Sequence, residues 1–302
     1  MKVYCVKYDA FAGKWIYNGY RSAWKELGYD LADSDFPNNK DLSEEFIIMT
    51  TDSAINNNEQ IDIISKSNKT FLFVQPNSFP EPWGRHPNFV SHTSDQIISS
   101  LNKLDNVYYW TFADVNDTFY HKWNKEVHTI PLAFDSINYV PFKEEKYNKF
   151  DISFVGGWAN NGFDEKRKII INTFSKFMNT DMKCGFFVNK NLSHEQECQL
   201  LANSKITLNI HDAYQRILGL DTNERTFKSL GLNGLLVSDK IKQLNDLFPD
   251  VPTSLEPDEL VLHTKKLLSL TDKEAEVIKE ENKHDILTNH CYVNRIQKLM
   301  NL

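Results

Sequence analysis

The stretch "TNERTFKSLGLNGLLVSD", residues 222–239, reads as a helix that runs straight into a strand. Thr222 or Asn223 supplies an N-cap, since a short polar side chain there can accept from a first-turn N–H. Gly231 and Gly234 mark the stop, and "LLVSD" is a short apolar strand. A helix that feeds directly into a buried strand is half of a βαβ unit, so this stretch decides for an α/β fold. Its first turn carries Arg225. A cation at the positive end of a helix dipole is locally unfavourable, which points to a ligand as its partner. Lys228, one residue past Phe227, has no such account.

Outward from this stretch the same alternation recurs. Upstream lie "FDISFVGG", a helix over residues 164–178, "KCGFFV", the helix "SHEQECQLLANS" and "KITLNI". An earlier series holds "KVYCVKY", "EEFIIMT", "KTFLFVQ", "NVYYWTF" and "VHTIPLAF", with helical material between. In "GKWIYNGYRSAWKELGYD", Trp15, Tyr20, Trp24 and Leu27 fall near helical spacing and Gly28 is the stop. Short apolar strands between helices predict parallel sheets covered on both faces. The polar, charged stretch 141–149 predicts the boundary. The expected fold class is therefore α/β, with two Rossmann-like domains facing a cleft. Residues 1–142 form the first and 150–285 the second, and 286–302 form a terminal helix that packs back on the first.

Composition sets the outer limits. The 302 residues are 41% hydrophobic and 13% aromatic, enough for two packed cores. A net charge of -7 argues against non-specific coating of nucleic acid or anionic membrane. Cys5, Cys184, Cys198 and Cys291 are scattered without a CxxC pair, as in a reducing cytoplasm. No apolar run approaches the roughly 18 residues of a membrane span. "MKVYCVKYD" alternates as a first strand and is not expected to be a leader.

In open parallel sheets, ligands sit beyond the carboxyl ends of the strands, so the loops there are the candidates. In "FVGGWANNG", Gly156 and Gly157 allow close backbone approach to a phosphate or sugar. The GxGxxG fingerprint is absent, so no nicotinamide or flavin is supported. The long segment "NIHDAYQRILGLDTNERTF", read as a loop, brings His211, Arg216, Thr222 or Asn223, Arg225 and Thr226 toward one helix mouth. Free N–H groups, the dipole and a guanidinium together suit a diphosphate. In the first domain, Asp9, Phe11, Asn18, Gln75, Asn77 and His86 occupy strand-end loops, with Phe11 and Trp83 as possible planes for a ring. Two metal patterns are weaker than their alternatives. "DSD" at 33–35 is too short to mean much. His194 and Cys198 lie one helical turn apart, but Ser193 and Gln196 make a capping box. No metal site is expected.

The chain resembles the GT-B glycosyltransferases, and more narrowly the CgeB-like, spore-protein-type family. The resemblance rests on "DISFVGG" with Arg167 downstream, "KITLNIHD", "NERTFKSLGLNGLLVSD", "LFPD", "PDEL" and "NHCYVNRIQKL", with "IPLAFD" before the linker. It spans the second domain nearly end to end and is looser before Val107. It implies transfer of a sugar from a nucleotide-diphosphate sugar, a UDP-sugar foremost, with retention and with no bound metal. Donor binding falls to Gly156, Gly157, Arg216, Asn223, Glu224, Arg225, Thr226 and Lys228, with Arg225 and His211 as the catalytic pair. Acceptor binding falls to Asp9, Phe11, Asn18, Asn77 and His86. The acceptor is a glycan, a protein, a small molecule or a modified base in phage DNA. Two departures stand out. Lys228 occupies a position where the family tends to have a Glu that accepts from ribose hydroxyls, and Cys291 stands where Thr is frequent. Lys228 leaves a non-catalytic binding protein as one alternative. A nucleotide-sugar epimerase is another.

Overall fold

The computed structural model describes residues 1–8, 11–38, 41–86, 89–140, 150–157, 165–190 and 192–302. The chain divides into two compact units, one of residues 1–131 with 292–302 and one of residues 132–291. Each is an α/β body around a wholly parallel sheet.

The first unit runs β1 (Lys2–Cys5), α1 (Phe11–Glu26), β2 (Asp30–Leu31), β3 (Phe46–Thr51), α2 (Asn58–Ser65), β4 (Lys69–Phe73), α3 (Asp95–Leu101), β5 (Val107–Thr111) and β6 (Val127–Thr129). Its sheet order is β2-β1-β3-β4-β5-β6. β3 is buried along its whole length, as a central strand covered on both faces must be. Trp24 and Tyr20 of α1 are fully buried, and Gly28 ends that helix's turn with φ +82°. There a side chain would be strained and glycine is not. The two-residue β2 carries no alternation to read and was not foreseen.

The second unit runs β7 (Ile152–Gly156), α4 (Glu165–Met178), β8 (Cys184–Val188), α5 (His194–Asn203), β9 (Ile206–Asn209), α6 (Ala213–Leu218), α7 (Glu224–Leu232), β10 (Leu236–Ser238), α8 (Lys242–Leu247), α9 (Pro257–Leu268) and α10 (Asp272–Asn289). Sheet order is β10-β9-β7-β8. Phe154, Ile170, Phe177, Leu208, Val237 and Leu260 form its core. The chain then returns to the first unit as α11 (Tyr292–Met300). Tyr292 rests on Tyr20 with ring centres 4.7 Å apart, and Arg295 Nε donates to the Pro131 carbonyl at 2.8 Å.

Two expectations change. The division falls after Pro131, ahead of the anticipated boundary in 141–149, which lies outside the described residues. Phe134 explains this: its N–H donates to His290 and its ring fills the space beside Gly231, so the chain already belongs to the second unit there. The "loop" after His211 contains α6, started by an Asp212–Gln215 capping box. Its sequence signal is the D-x-x-Q spacing of Asp212 and Gln215.

Candidate functional site

The second sheet reverses direction between β7 and β9. β8 lies on one side, while β9 and β10 lie on the other. Such a switch point leaves a crevice at the strands' carboxyl ends. Here β7 and β9 pair only at Ile152–Ile206 and Ser153–Thr207, then part. The carbonyls beyond lose their ladder partners, and a buried carbonyl without a donor is costly.

Arg225, in the first turn of α7, fills that opening. Its Nε donates to the Val155 carbonyl at 2.6 Å. Its Nη1 donates to Asn209 Oδ1 at 2.8 Å and to the Ile210 carbonyl at 3.3 Å. The guanidinium stacks over Phe154, 5.0 Å from the ring centre. Burial lowers its affinity for its proton, partly offset by Glu197, Asp212, Glu224 and Asp239. Nη2 makes no hydrogen bond to a described residue and lies against Gly156. A Cβ at 156 would collide with it and stand 2.7 Å from Cζ. Gly157 is pressed in the same way by Asn189, whose Cγ would be 3.0 Å from a Cβ there. A Cβ at either position would have to displace that neighbouring side chain.

The mouth of α7 is open. Asn223 takes the N-cap position, but its side chain caps nothing in the helix. It accepts instead from Asn209 Nδ2 at 2.9 Å. The N–H groups of Glu224 and Arg225 therefore donate to no described residue, although Asn is among the best capping residues. Lys166, at the start of α4, was not singled out by sequence. Its amine is buried and pairs with Asp212 at 3.0 Å. Burial and the nearby Arg225 charge lower its pKa, while Asp212 opposes the shift. A lysine at helix position two carries no distinctive spacing, so only the fold reveals it.

Four expected ligand residues have partners within the protein. His211 is 0% exposed. Its Nδ1 lies 2.5 Å from Asp239 Oδ1 and its Nε2 2.9 Å from Thr222 Oγ1, so both ring nitrogens are taken. Arg216 gives Nη1 to Asp239 at 2.8 Å and Nη2 to the Leu255 carbonyl at 3.2 Å. Burial opposes the Asp239 charge, yet His211 and Arg216 override it and hold the carboxyl down to about 2. Thr226 is buried between Thr222 (2.6 Å) and Asn209 (2.9 Å). Lys228 sits 3.0 Å from Glu197 and 3.6 Å from Glu224, with its amine 4.8 Å above the Tyr139 ring. Burial opposes the Lys228 charge, but the two carboxylates outweigh it and raise its pKa, whereas burial raises that of Glu224. This answers the question posed by Lys228: it neutralises a carboxylate pair contributed by α5 and α7.

In the first unit, Asp9 lies outside the described residues, as does the side chain of Phe11. Asn18 is exposed on α1. Asn77 is a loop staple: its Oδ1 accepts from the Lys122 N–H at 2.9 Å. The His86 ring meets Phe89 edge-on at 5.7 Å. Trp83 is buried and offers no open plane. Sequence reasoning passed over Asp52, a fully buried carboxylate directly after β3. Ser91 Oγ donates to it at 2.5 Å, the Ser53 N–H at 2.8 Å and the Gln75 N–H at 3.4 Å. Burial lifts its pKa to about 6 despite these donors.

Among the described residues no three His, Cys, Asp or Glu side chains gather as a metal would need. No described helix is long and apolar enough to cross a membrane. The Ser193–Gln196 capping box forms as expected on α5.

Residues 146–301 match the model of a family described as glycosyl transferase-like. A DNA-modifying β-glucosyltransferase, solved with and without uridine diphosphoglucose, is similar over 100% of both chains at 10% identity and a TM-score of 0.56. The E. coli trehalose-6-phosphate protein bound with UDP-2-fluoro glucose is similar over 97% of this chain and 78% of its own, at 10% identity and 0.55. An α,α-trehalose-phosphate synthase (UDP-forming) from Burkholderia vietnamiensis covers 85% and 72%, at 9% identity and 0.54. At such identities the likeness concerns the fold, which is the GT-B type of α/β structure. No curated protein matches by sequence.

Proposed function

Because the chain belongs to the glycosyl transferase-like family and is a glycosyltransferase, we propose that it takes its sugar from a nucleotide-diphosphate carrier held at the β7–β9 switch point. One observation carries this reading: Arg225 spans the parted strands with Nη2 bonded to no described residue, beside an α7 mouth whose first N–H groups donate to no described residue. Charge grows on the diphosphate as the glycosidic bond breaks, so donors fixed beforehand lower the barrier. Arg225, Lys166, the α7 N–H groups and the Gly156–Gly157 backbone are the groups assigned to it. His211, Arg216, Thr226 and Asp239 position them. Glu224, drawn beside Lys228, takes over the carboxylate role toward the ribose that the resemblance gave to position 228.

The carrier is a UDP-sugar in this reading, in keeping with the uridine ligands of two neighbours. The acceptor is an alcohol on a glycan, protein, small molecule or modified DNA base. The order of motifs from "DISFVGG" to "NHCYVNRIQKL" supports the CgeB-like branch. Four free thiols accord with a cytoplasmic setting. The non-catalytic alternative rested on Lys228 alone, and its Glu197 and Glu224 partners now account for that amine.

The test is thermal stabilisation by UDP, GDP and dTDP, followed by release of nucleotide from the matching sugars. UDP is expected to raise Tm, and UDP-glucose to release UDP slowly with water as acceptor. Equal indifference to every nucleotide would remove the assignment.

A further inference from the structure

Glu224 and Lys228 stand four residues apart, so they are neighbours on one face of α7. α5 meets that face and adds Glu197. Two carboxylates therefore share one ammonium, and the sharing is unequal. Lys228 Nζ donates to Glu197 Oε1 at 3.0 Å. It stands 3.6 Å from Glu224 Oε1, close enough to act as a counter-charge but beyond a hydrogen bond. No described residue donates to the Glu224 carboxylate within hydrogen-bond reach. That side chain is 16% exposed, in the first turn of α7 beside Arg225. A carboxylate whose charge is balanced while its lone pairs stay open is suited to accept from a ligand. A vicinal diol supplies two O–H donors for such a group.

We propose that Lys228 is a positioning residue: it keeps Glu224 ionised with open lone pairs, so that the donor nucleotide is recognised by its ribose diol and a 2′-deoxynucleotide is discriminated against. The inference rests on the donor reading above, which sets a nucleotide diphosphate against Arg225 and the α7 mouth. The surroundings of Glu224 pull its charge both ways. Burial raises its pKa, Lys228 lowers it, Glu197 raises it again and Arg225 lowers it. The other groups facing the cluster do not replace the ammonium. Tyr139 lies under the Lys228 amine, and burial raises the pKa of its hydroxyl. Burial likewise raises the Cys198 thiol to about 11. His194 stacks on the Tyr139 ring at 4.3 Å and meets its hydroxyl at 3.4 Å. Without the ammonium, two poorly solvated carboxylates face each other and one takes up a proton. A protonated carboxyl has lost the charge that makes its hydrogen bonds to hydroxyls strong.

A purely structural role for Lys228 would be to tie α5 to α7. Its loss would then lower Tm and weaken every nucleotide alike. Paired titrations separate the two roles, because the base and the diphosphate are common to each pair and cancel in the ratio. The probes are UDP with 2′-deoxy-UDP and GDP with 2′-deoxy-GDP, titrated calorimetrically into the whole chain. The wild type is expected to bind the ribose member about tenfold or more tightly. Glu224→Gln should lose most of that preference while still binding the deoxy member. Lys228→Gln, which keeps a donor for Glu197 without the charge, and Lys228→Met should both lose it at neutral pH. Both should regain it as the pH is raised to about 9, where Glu224 ionises without help. Equal Kd for the two members of each pair in the wild type would overturn the inference and leave the diphosphate site standing. So would position-228 variants that keep the ratio at neutral pH or fail to regain it at high pH. Absence of binding by all four nucleotides would overturn both readings.

Discussion

The two switch points are built on one plan and filled in opposite ways. Between β1 and β3 the strands stay paired through Cys5 and Met49, and hydroxyls close over a sealed carboxylate. Between β7 and β9 the strands part after Ser153 and Thr207, and a guanidinium enters. The buried carboxylates differ accordingly. Asp52 has only neutral donors, and its pKa is lifted to about 6. Asp239 has His211 and Arg216, and its pKa is held at about 2. The topology therefore supplies the crevice in both sheets, but the side chains that fill it set the charge there.

The comparison breaks most visibly at Asp239. Asp239→Asn leaves Arg216 without its counter-charge and His211 without its carboxylate partner, and about 3–5 kcal/mol of stability should be lost at pH 7 by urea unfolding. In the wild type this carboxyl's folded pKa is below its unfolded value. Its contribution is therefore present above about pH 4 and lost as pH falls toward 2.

Next is Arg225→Ala, which removes the guanidinium from the Val155 carbonyl and, on the proposed donor reading, from the diphosphate. UDP-sugar turnover should lose about 3–4 kcal/mol in kcat/KM. Arg225→Lys should recover little, since one ammonium cannot span both strands. An unaltered rate would mean that the guanidinium is only a clamp for the sheet.

Asp52 should show the opposite sign to Asp239. Its folded pKa exceeds the unfolded value, so the native state holds an extra proton between about pH 4 and 6. The wild type should lose on the order of 3 kcal/mol relative to Asp52→Asn as pH rises through that window. Parallel stability curves for the two proteins would refute the account of burial. The smallest effect belongs to Gly156→Ala. The new methyl must push Arg225 aside, and UDP affinity should fall by about 1–2 kcal/mol in a calorimetric titration.

The α/β class and nearly every strand could be read from apolar runs between helical stretches, because full burial leaves a plain signature. β2, at two residues, leaves none. Arg225 could be located because an Arg in a first turn conflicts with the helix dipole. His211, Arg216 and Thr226 could be located as a group, but their roles could not: whether such a side chain meets a ligand or a neighbour depends on partners such as Asp239 and Thr222, 28 and 11 residues away in sequence from His211. Lys166 and Asp52 were invisible for the same reason. A lone lysine or aspartate gains its meaning from burial, and burial is a property of the folded chain.

The return of α11 to the first unit has a consequence for biosynthesis. The body made of residues 132–291 is one unbroken segment. The body begun by β1 lacks Tyr292 against Tyr20, and Arg295 at Pro131, until α11 has been made. The half of the enzyme that is translated first is thus the half completed last, against the usual vectorial order.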